Sequence, residues 1–243
     1  MENDQLKILW QLAFGDSAEF IDLFFDTAYA PDRCLYLTEN GQITAALYWL
    51  DCSYAGQRQA YIYAVATHPD HRGKGLCRQL MEQAHRVLRQ QGYAAALLRP
   101  ADAGLRRMYG KMGYRDATRV SEFDCIAAGA VSIQKIGAEE YACLRRQYLP
   151  EGGILQEGVS IAYLAAYAEF YAGEEFLLAG ASYDGAFNGI ELLGNRDAAP
   201  AILAALGYEE GHFRCPGDEI PFAMFLPLTE DAVPPSYLGL AFD

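Results

Sequence analysis

Apolar residues recur at helical spacing through "DQLKILWQLAFG" and again through "DSAEFIDLFFDTAY". The sequence opens on two amphipathic helices, the second with Asp16 and Glu19 three residues apart as in a capping box. The pattern then changes period. "RCLYLTENGQITAALYWLDCSY" is two β-rich runs around Asn40-Gly41, a pair suited to a tight hairpin, and "QAYIYAVATHP" is a further strand. "GLCRQLMEQAHRVLRQQG" returns to helical spacing, with Leu76, Leu80, Met81 and Val87 inward and Gly92 as the stop. "YAAALLRP" is a buried strand, and "AGLRRMYGKMGY" is a short helix leaving at Gly113 ahead of one more strand. The predicted order is helix, helix, hairpin, strand, helix, strand, helix, strand.

A second half begins near "DCIAAGAVSI". It reads as a strand at 129–135, helices at 138–148 and 159–172, strands in "EEFLLAGASYDG" and "FNGIELLGN", and a helix at 198–206. Strands in "GHFRCPG" and "IPFAMFLPL" end it. "LAALGY" at 203–208 echoes "YGKMGY" at 109–114, so the halves read as a diverged structural repeat. The expected domains are 1–125 and 126–243.

Charge separates the halves more sharply than pattern does. Residues 1–125 carry 14 Lys+Arg against 15 Asp+Glu, and residues 126–243 carry 5 against 17, so −12 of the net −13 lies in the second half. No basic face of the size nucleic acid requires is present, and no nucleic-acid partner is expected. No apolar run reaches the roughly 18 residues of a membrane span. The acidic N-terminal residues differ from a signal peptide, and six scattered cysteines form no CxxC pair. A cytoplasmic protein with reduced thiols and no membrane partner is the expectation.

Chemistry concentrates in "THPDHRGKGLCRQL", residues 67–80. A glycine-rich turn feeding a helix N-terminus leaves backbone amides pointing one way, reinforced by the helix dipole, and so suits phosphate oxygens. Gly73 and Gly75 permit close backbone approach, while Arg72 and Lys74 add positive charge. Leu76, Cys77 and Arg78 follow where a dinucleotide fingerprint would need another glycine, and the G-K-[ST] of a P-loop is missing. His68 and His71 have HxxH spacing without a partner acid pattern, so no metal is expected. Met108 and Met112 read as core.

The ordered set of strand, R-G-x-G, helix, strand and "YGKMGY" resembles the GCN5-related N-acetyltransferase (GNAT) superfamily. "VATHPDHRGKGL" is similar to the tandem-domain acetyltransferases related to the enhanced intracellular survival protein. The resemblance is specific over about 43–115. It implies a mixed, twisted α/β sheet of the acyl-CoA N-acyltransferase type, with a second degenerate domain of similar type. It implies acetyl-CoA as co-substrate, the family motif falling on Arg72, Gly73, Lys74, Gly75, Leu76 and Cys77, with Cys77 where Gly or Ala is usual. The strand residues Val65, Ala66 and Thr67, with Ala64 before them, would splay from their neighbour to receive the pantetheine arm. An amide near Val65 or Ala66 would face the oxyanion, and Tyr109 would be the general acid. The glutamate many relatives carry on this strand is missing from "YIYAVAT", which leaves His68, Asp51 or the carboxylate at Asp243 as base candidates.

The expected activity is acetyl transfer to a primary amine, of a small molecule or a peptide, by direct attack in a ternary complex. An O-acyl or longer-acyl transferase and a silent acyl-CoA-binding module are the alternatives. "RDAAP" replaces the cradle in the second half, so no second coenzyme is expected there. Read plainly, that half is a stabilising lobe and the element of a homodimer. Read more sharply, it is a wall of the acceptor site, and its paired acids, including Glu139, Glu140, Glu174, Glu175, Glu209 and Glu210, attract a cationic amine.

Overall fold

In the computed structural model, which describes residues 2–183 and 185–242, the chain divides into two compact units. The first is 1–115 with 224–234, and the second is 116–223 with 235–243.

In the first unit, helices α1 (Glu2–Phe14) and α2 (Ala18–Thr27) precede strands β1 (Cys34–Glu39), β2 (Gln42–Tyr54) and β3 (Gln57–Thr67). Helix α3 (Leu76–Gln90), strand β4 (Ala95–Leu98) and helix α4 (Ala103–Gly110) follow. The cap of α2 lies one residue later than the sequence suggests. The Ser17 hydroxyl accepts from the Phe20 amide at 3.2 Å, while Asp16 accepts from the Trp10 indole at 2.7 Å. Asn40 and Gly41 both have positive φ, as a two-residue hairpin turn requires.

The strands order as β1-β2-β3-β4, and Met224–Pro227 then pairs antiparallel with β4. β3 and β4 run parallel, paired over Gln59–Tyr61 and Ala95–Leu97. Both faces of this sheet are covered, so residues 43–50 of β2 form an unbroken buried run instead of alternating. On one face Leu47, Trp49 and Ile62 pack with Leu80, Met81, Ala84 and Leu88 of α3 and Tyr109 of α4. On the other, Tyr48 and Tyr63 meet Trp10 of α1 and Phe24 of α2 at ring separations of 5.1–5.6 Å.

The second unit repeats this plan. Its sheet orders as 220–221, 119–126, 210–216, 186–194, 176–183, 169–172 and 134–136. The parallel pair is again short, Phe187–Gly189 against Gly211–Phe213. Helices Ala138–Tyr148, Val159–Ala165 and Ala199–Leu206 complete it. The helix expected over 159–172 stops early because Glu169–Ala172 joins the sheet as a strand. The strand expected at 129–135 is confined to Gln134–Ile136.

The observed division departs from a cut at 125. Strand Arg119–Ile126 pairs with Glu210–Pro216 in the second sheet, and Met224–Pro227 returns to the first. Alternation marks each segment as a strand but carries no information about which sheet it joins.

Candidate active site

β3 and β4 part company where coenzyme chemistry is expected. Their pairing ends at Tyr61 and Leu97, yet β3 continues to Thr67 while β4 stops at Leu98. On its other side β3 pairs Tyr63 with Tyr48 and Ala66 with Ala46, so two residues, Ala64 and Val65, oppose Leu47 alone. This is a β-bulge, which takes an amide out of the ladder. Ala64 has φ +46°, a left-handed conformation costing an L-residue roughly 1–2 kcal/mol. Val65, Ala66 and Thr67 therefore lie on a bulged strand beyond the end of its parallel pairing. Tyr63, just before the bulge, packs its ring toward α1 and α2, which places an aromatic wall on that side.

The strand then enters the glycine turn. Gly73 and Gly75 have φ +78° and +81°, and a Cβ at either would meet nothing within 4 Å. These glycines answer to backbone conformation and open onto free space. Gly75 caps α3 without a side chain, and the first amide bonded back into the turn is that of Gln79, to Gly75. The amides of Leu76, Cys77 and Arg78 precede any helical carbonyl that could receive them, as at every helix start. Arg72 is less mobile than its sequence context suggests. Its guanidinium donates to the Thr67 and Ala13 carbonyls, each at 3.4 Å, tying the turn to β3 and to the end of α1. Lys74 has its ammonium 3.4 Å from Nδ1 of His71.

Tyr109 is 5% exposed on α4, whose N-cap Asp102 accepts from the Leu105 amide at 2.8 Å. Burial pushes its phenol well above the ordinary tyrosine value, and the nearby Cys77 adds to the effect. Burial also raises Cys77. Both groups thus keep their protons near neutrality, and a neutral Cys77 places no charge in the cradle. Tyr114 meets the edge of Tyr109 at 5.9 Å, and its hydroxyl lies 2.9 Å from Nε2 of His85.

The base candidates fare unequally. Asp51 pairs with Ala60, six residues before Ala66 and so about 20 Å along the strand. Arg58 and the Tyr93 hydroxyl occupy one carboxylate oxygen, and Arg33 the other at 3.2 Å. Asp51 holds an ionic cluster at the far end of the sheet and is not a base for this site. His68 stands at the exit of β3 with Nδ1 accepting from the Asp70 amide at 3.3 Å. Asp243 lies outside the described residues. Among the described residues no group of His, Cys, Asp and Glu is arranged to hold a metal, and no helix is long and apolar enough to cross a membrane.

The pyrophosphate of acetyl-CoA fits the turn, because backbone amides and open glycines suit an anion and the splayed strand suits an extended arm. Among the described residues the second unit has no such turn. A Cβ on Gly194, at the end of its corresponding strand, would overlap the Glu175 carbonyl and crowd the Tyr148 ring. Asn195 donates to the Glu175 carboxylate at 3.0 Å, and the following helix has Pro200 in its first turn.

Residues 1–117 match the family model described as the acetyltransferase (GNAT) domain. No curated protein matches the chain. Among solved structures, a GCN5-related N-acetyltransferase from Kribbella flavida superposes with a TM-score of 0.68 at 18% identity, covering 92% of this chain and 68% of that one. Eis1 from Mycobacterium abscessus gives 0.68 at 14% identity, over 95% and 72%. A tandem GNAT protein from the clavulanic acid biosynthesis pathway gives 0.59 at 12% identity, over 94% and 95%.

Proposed function

We propose that this chain, whose residues 1–117 match the acetyltransferase (GNAT) domain model, is a GCN5-related N-acetyltransferase that moves an acetyl group from acetyl-CoA to a primary amine. The observation that carries the reading is the bulged strand running past its parallel partner into an open two-glycine turn. Acyltransferase activity in general follows from the family; the amine acceptor and the residue roles are our proposal.

The co-substrate, when bound, supplies a thioester carbonyl and a thiolate leaving group. The amides of residues 73–77 bind its pyrophosphate, and the exposed edge of Val65, Ala66 and Thr67 orients the arm. An amide freed at the bulge donates to the developing oxyanion. Tyr109 holds the proton for the leaving sulfur, and burial keeps that proton in place at neutral pH. β3 offers no carboxylate, the Nδ1 of His68 is engaged by an amide, and we assign the acceptor's proton to solvent, with Asp243 the remaining base candidate. Holding both reactants in line supplies much of the acceleration.

The test is a panel of polycationic, monocationic and neutral amines with acetyl-CoA, followed by release of free thiol. Turnover on at least one amine is expected, with Tyr109→Phe slower by roughly 10²-fold or more and coenzyme affinity unchanged. Binding of acetyl-CoA without turnover on any acceptor would favour the silent binding module. A cationic acceptor attracted by the acidic second unit predicts kcat/KM that falls as salt rises.

A further inference from the structure

Arg78, Met81, Glu82 and His85 recur along α3 at intervals of three and four, and so share one side of the helix. With Lys111 and Met112, just past α4, they line a cavity of about 180 Å³ in the first unit. Met81 and His85 are buried, at 0% and 7% exposure, while Arg78, Glu82 and Lys111 are exposed. The cavity thus has a buried floor and a charged rim. Among the described residues the side chains of Arg78, Lys111 and Glu82 make no hydrogen bond or ion pair.

The floor supplies a donor. Nε2 of His85 lies 2.9 Å from the hydroxyl of Tyr114, a phenol with no other hydrogen-bond partner among the described residues. Were the ring to donate from Nε2, the phenol proton would be buried without an acceptor, which costs more than the bond returns. The phenol therefore donates and Nε2 accepts. Burial, with a smaller contribution from Arg89, keeps the imidazole neutral near pH 7. Its one proton then sits on Nδ1, a tautomer assigned from the hydrogen-bond network. Nδ1 has no partner among the described residues and belongs to a ring that lines the cavity. A buried N–H, a guanidinium and an ammonium, none used by the protein, call for a ligand with several charged oxygens.

We propose that this cavity is a phosphate site, in which Nδ1 of His85, Arg78 and Lys111 bind a phosphate monoester. Two sources present that chemistry: the 3′-phosphate of the coenzyme itself, or a separate phosphorylated ligand. Arg78 directly follows the cradle residue Cys77, so the cavity begins within one helical turn of the pyrophosphate amides. Only the first source rests on the acetyl-CoA reading above. Glu82, at the rim, opposes a dianion and limits its affinity.

The experiment is titration calorimetry of the full chain at about pH 7.5, where a phosphate monoester is mostly dianionic. The ligands are CoA, 3′-dephospho-CoA, and inorganic phosphate added to protein saturated with 3′-dephospho-CoA. The parent should prefer CoA by about tenfold or more, as charge-assisted bonds to two cations imply. Arg78→Gln and Lys111→Gln, both at exposed positions, should each cut that preference by about fivefold and leave 3′-dephospho-CoA affinity unchanged. Glu82→Gln should increase it. Arg86→Gln removes the same charge from an exposed position of α3 outside the cavity and should leave the preference intact. Equal affinity for the two coenzymes, with phosphate binding that Arg78→Gln and Lys111→Gln weaken and Arg86→Gln does not, assigns the site to a separate ligand. Equal affinity with no phosphate binding overturns the proposal, as does a preference that Arg86→Gln erodes as much as Arg78→Gln. Failure of both coenzymes to bind overturns the functional reading instead, and inorganic phosphate titrated alone against the same variants then decides the cavity.

Discussion

The two units build the same strand, turn and helix and fill them differently. In each, a bulged strand pairs in parallel with one neighbour over three residues and then runs on with only its antiparallel neighbour. In the first, the bulge residue Ala64 is left-handed and the turn beyond has two glycines facing open space. In the second, Ile190 forms the bulge with no positive φ, and Gly194 is packed against the Glu175 carbonyl and the Tyr148 ring. The strand interior differs as well. Glu191, fully buried just after the second bulge, is held by Arg145 at 2.6 and 2.9 Å and by the hydroxyls of Tyr141 and Tyr237 at 2.7 and 3.1 Å. A Cβ on Gly239 would overlap its Oε1, so the segment after Pro235 closes over the carboxylate. One scaffold thus leaves its turn open where the other fills the corresponding positions with packing and an internal ion pair.

Four tests probe this contrast. The largest effect is expected from Gly75→Glu, which forces a left-handed backbone onto an L-residue and aims a carboxylate into the cradle. Coenzyme binding should be lost, by at least about 10³-fold, while the parent binds one equivalent per chain by calorimetry. Two equivalent sites would erase the distinction between the units. Next, Glu191→Gln leaves Arg145 charged and buried without its counter-ion, and should cost about 3–5 kcal/mol by denaturant unfolding. Asp51→Asn in the partly exposed cluster of the first unit should cost only about 1 kcal/mol.

The third concerns acid. Burial, with a smaller contribution from Arg89, lowers His85 from 6.5 to about 4, so the folded first unit holds this ring neutral. Because the folded value is depressed, the unfolded chain binds the proton first. The contribution of the neutral ring is complete above pH 6.5 and is lost as pH falls toward 4, on the order of 3 kcal/mol in all. Hydrogen exchange should show α3 loosening over that window, and His85→Gln should flatten the dependence. Smallest is Ala64→Gly, which relieves the left-handed strain at the cost of a more flexible unfolded chain. A net gain of about 0.5–1 kcal/mol is expected in thermal unfolding.

Periodicity located most elements because each amphipathic face is a local property. The helix of residues 76–90, the Asn40-Gly41 turn and the strand at 57–67 were all legible. The turn was legible too, since glycines on either side of a lysine at a helix start have a backbone reason to exist. What escaped was anything fixed by distant partners. Glu39 and Lys74 meet across His71 although 35 positions separate them, and nothing in either neighbourhood announces the contact. Asp51 looked available until Arg33, Arg58 and Tyr93 converged on it. Glu175, one of the paired acids, accepts from Asn195 at the end of the second unit's corresponding strand, a contact that no local pattern announces.

The traded strands have a temporal consequence. A nascent chain that has emerged through residue 115 holds nearly all of the first sheet but not Met224–Pro227, the strand that covers β4. Until that strand is synthesised, the four buried residues of β4 (Ala95–Leu98) form a bare sheet edge. At about 5–20 residues per second, the ribosome needs roughly 6–20 s to supply it. For that interval the first-made unit is the unfinished one, and it must be shielded by the ribosome surface or by chaperones. A gene cut after residue 125 would make that interval permanent, so a product that aggregates would reflect a missing strand and not a defective active site.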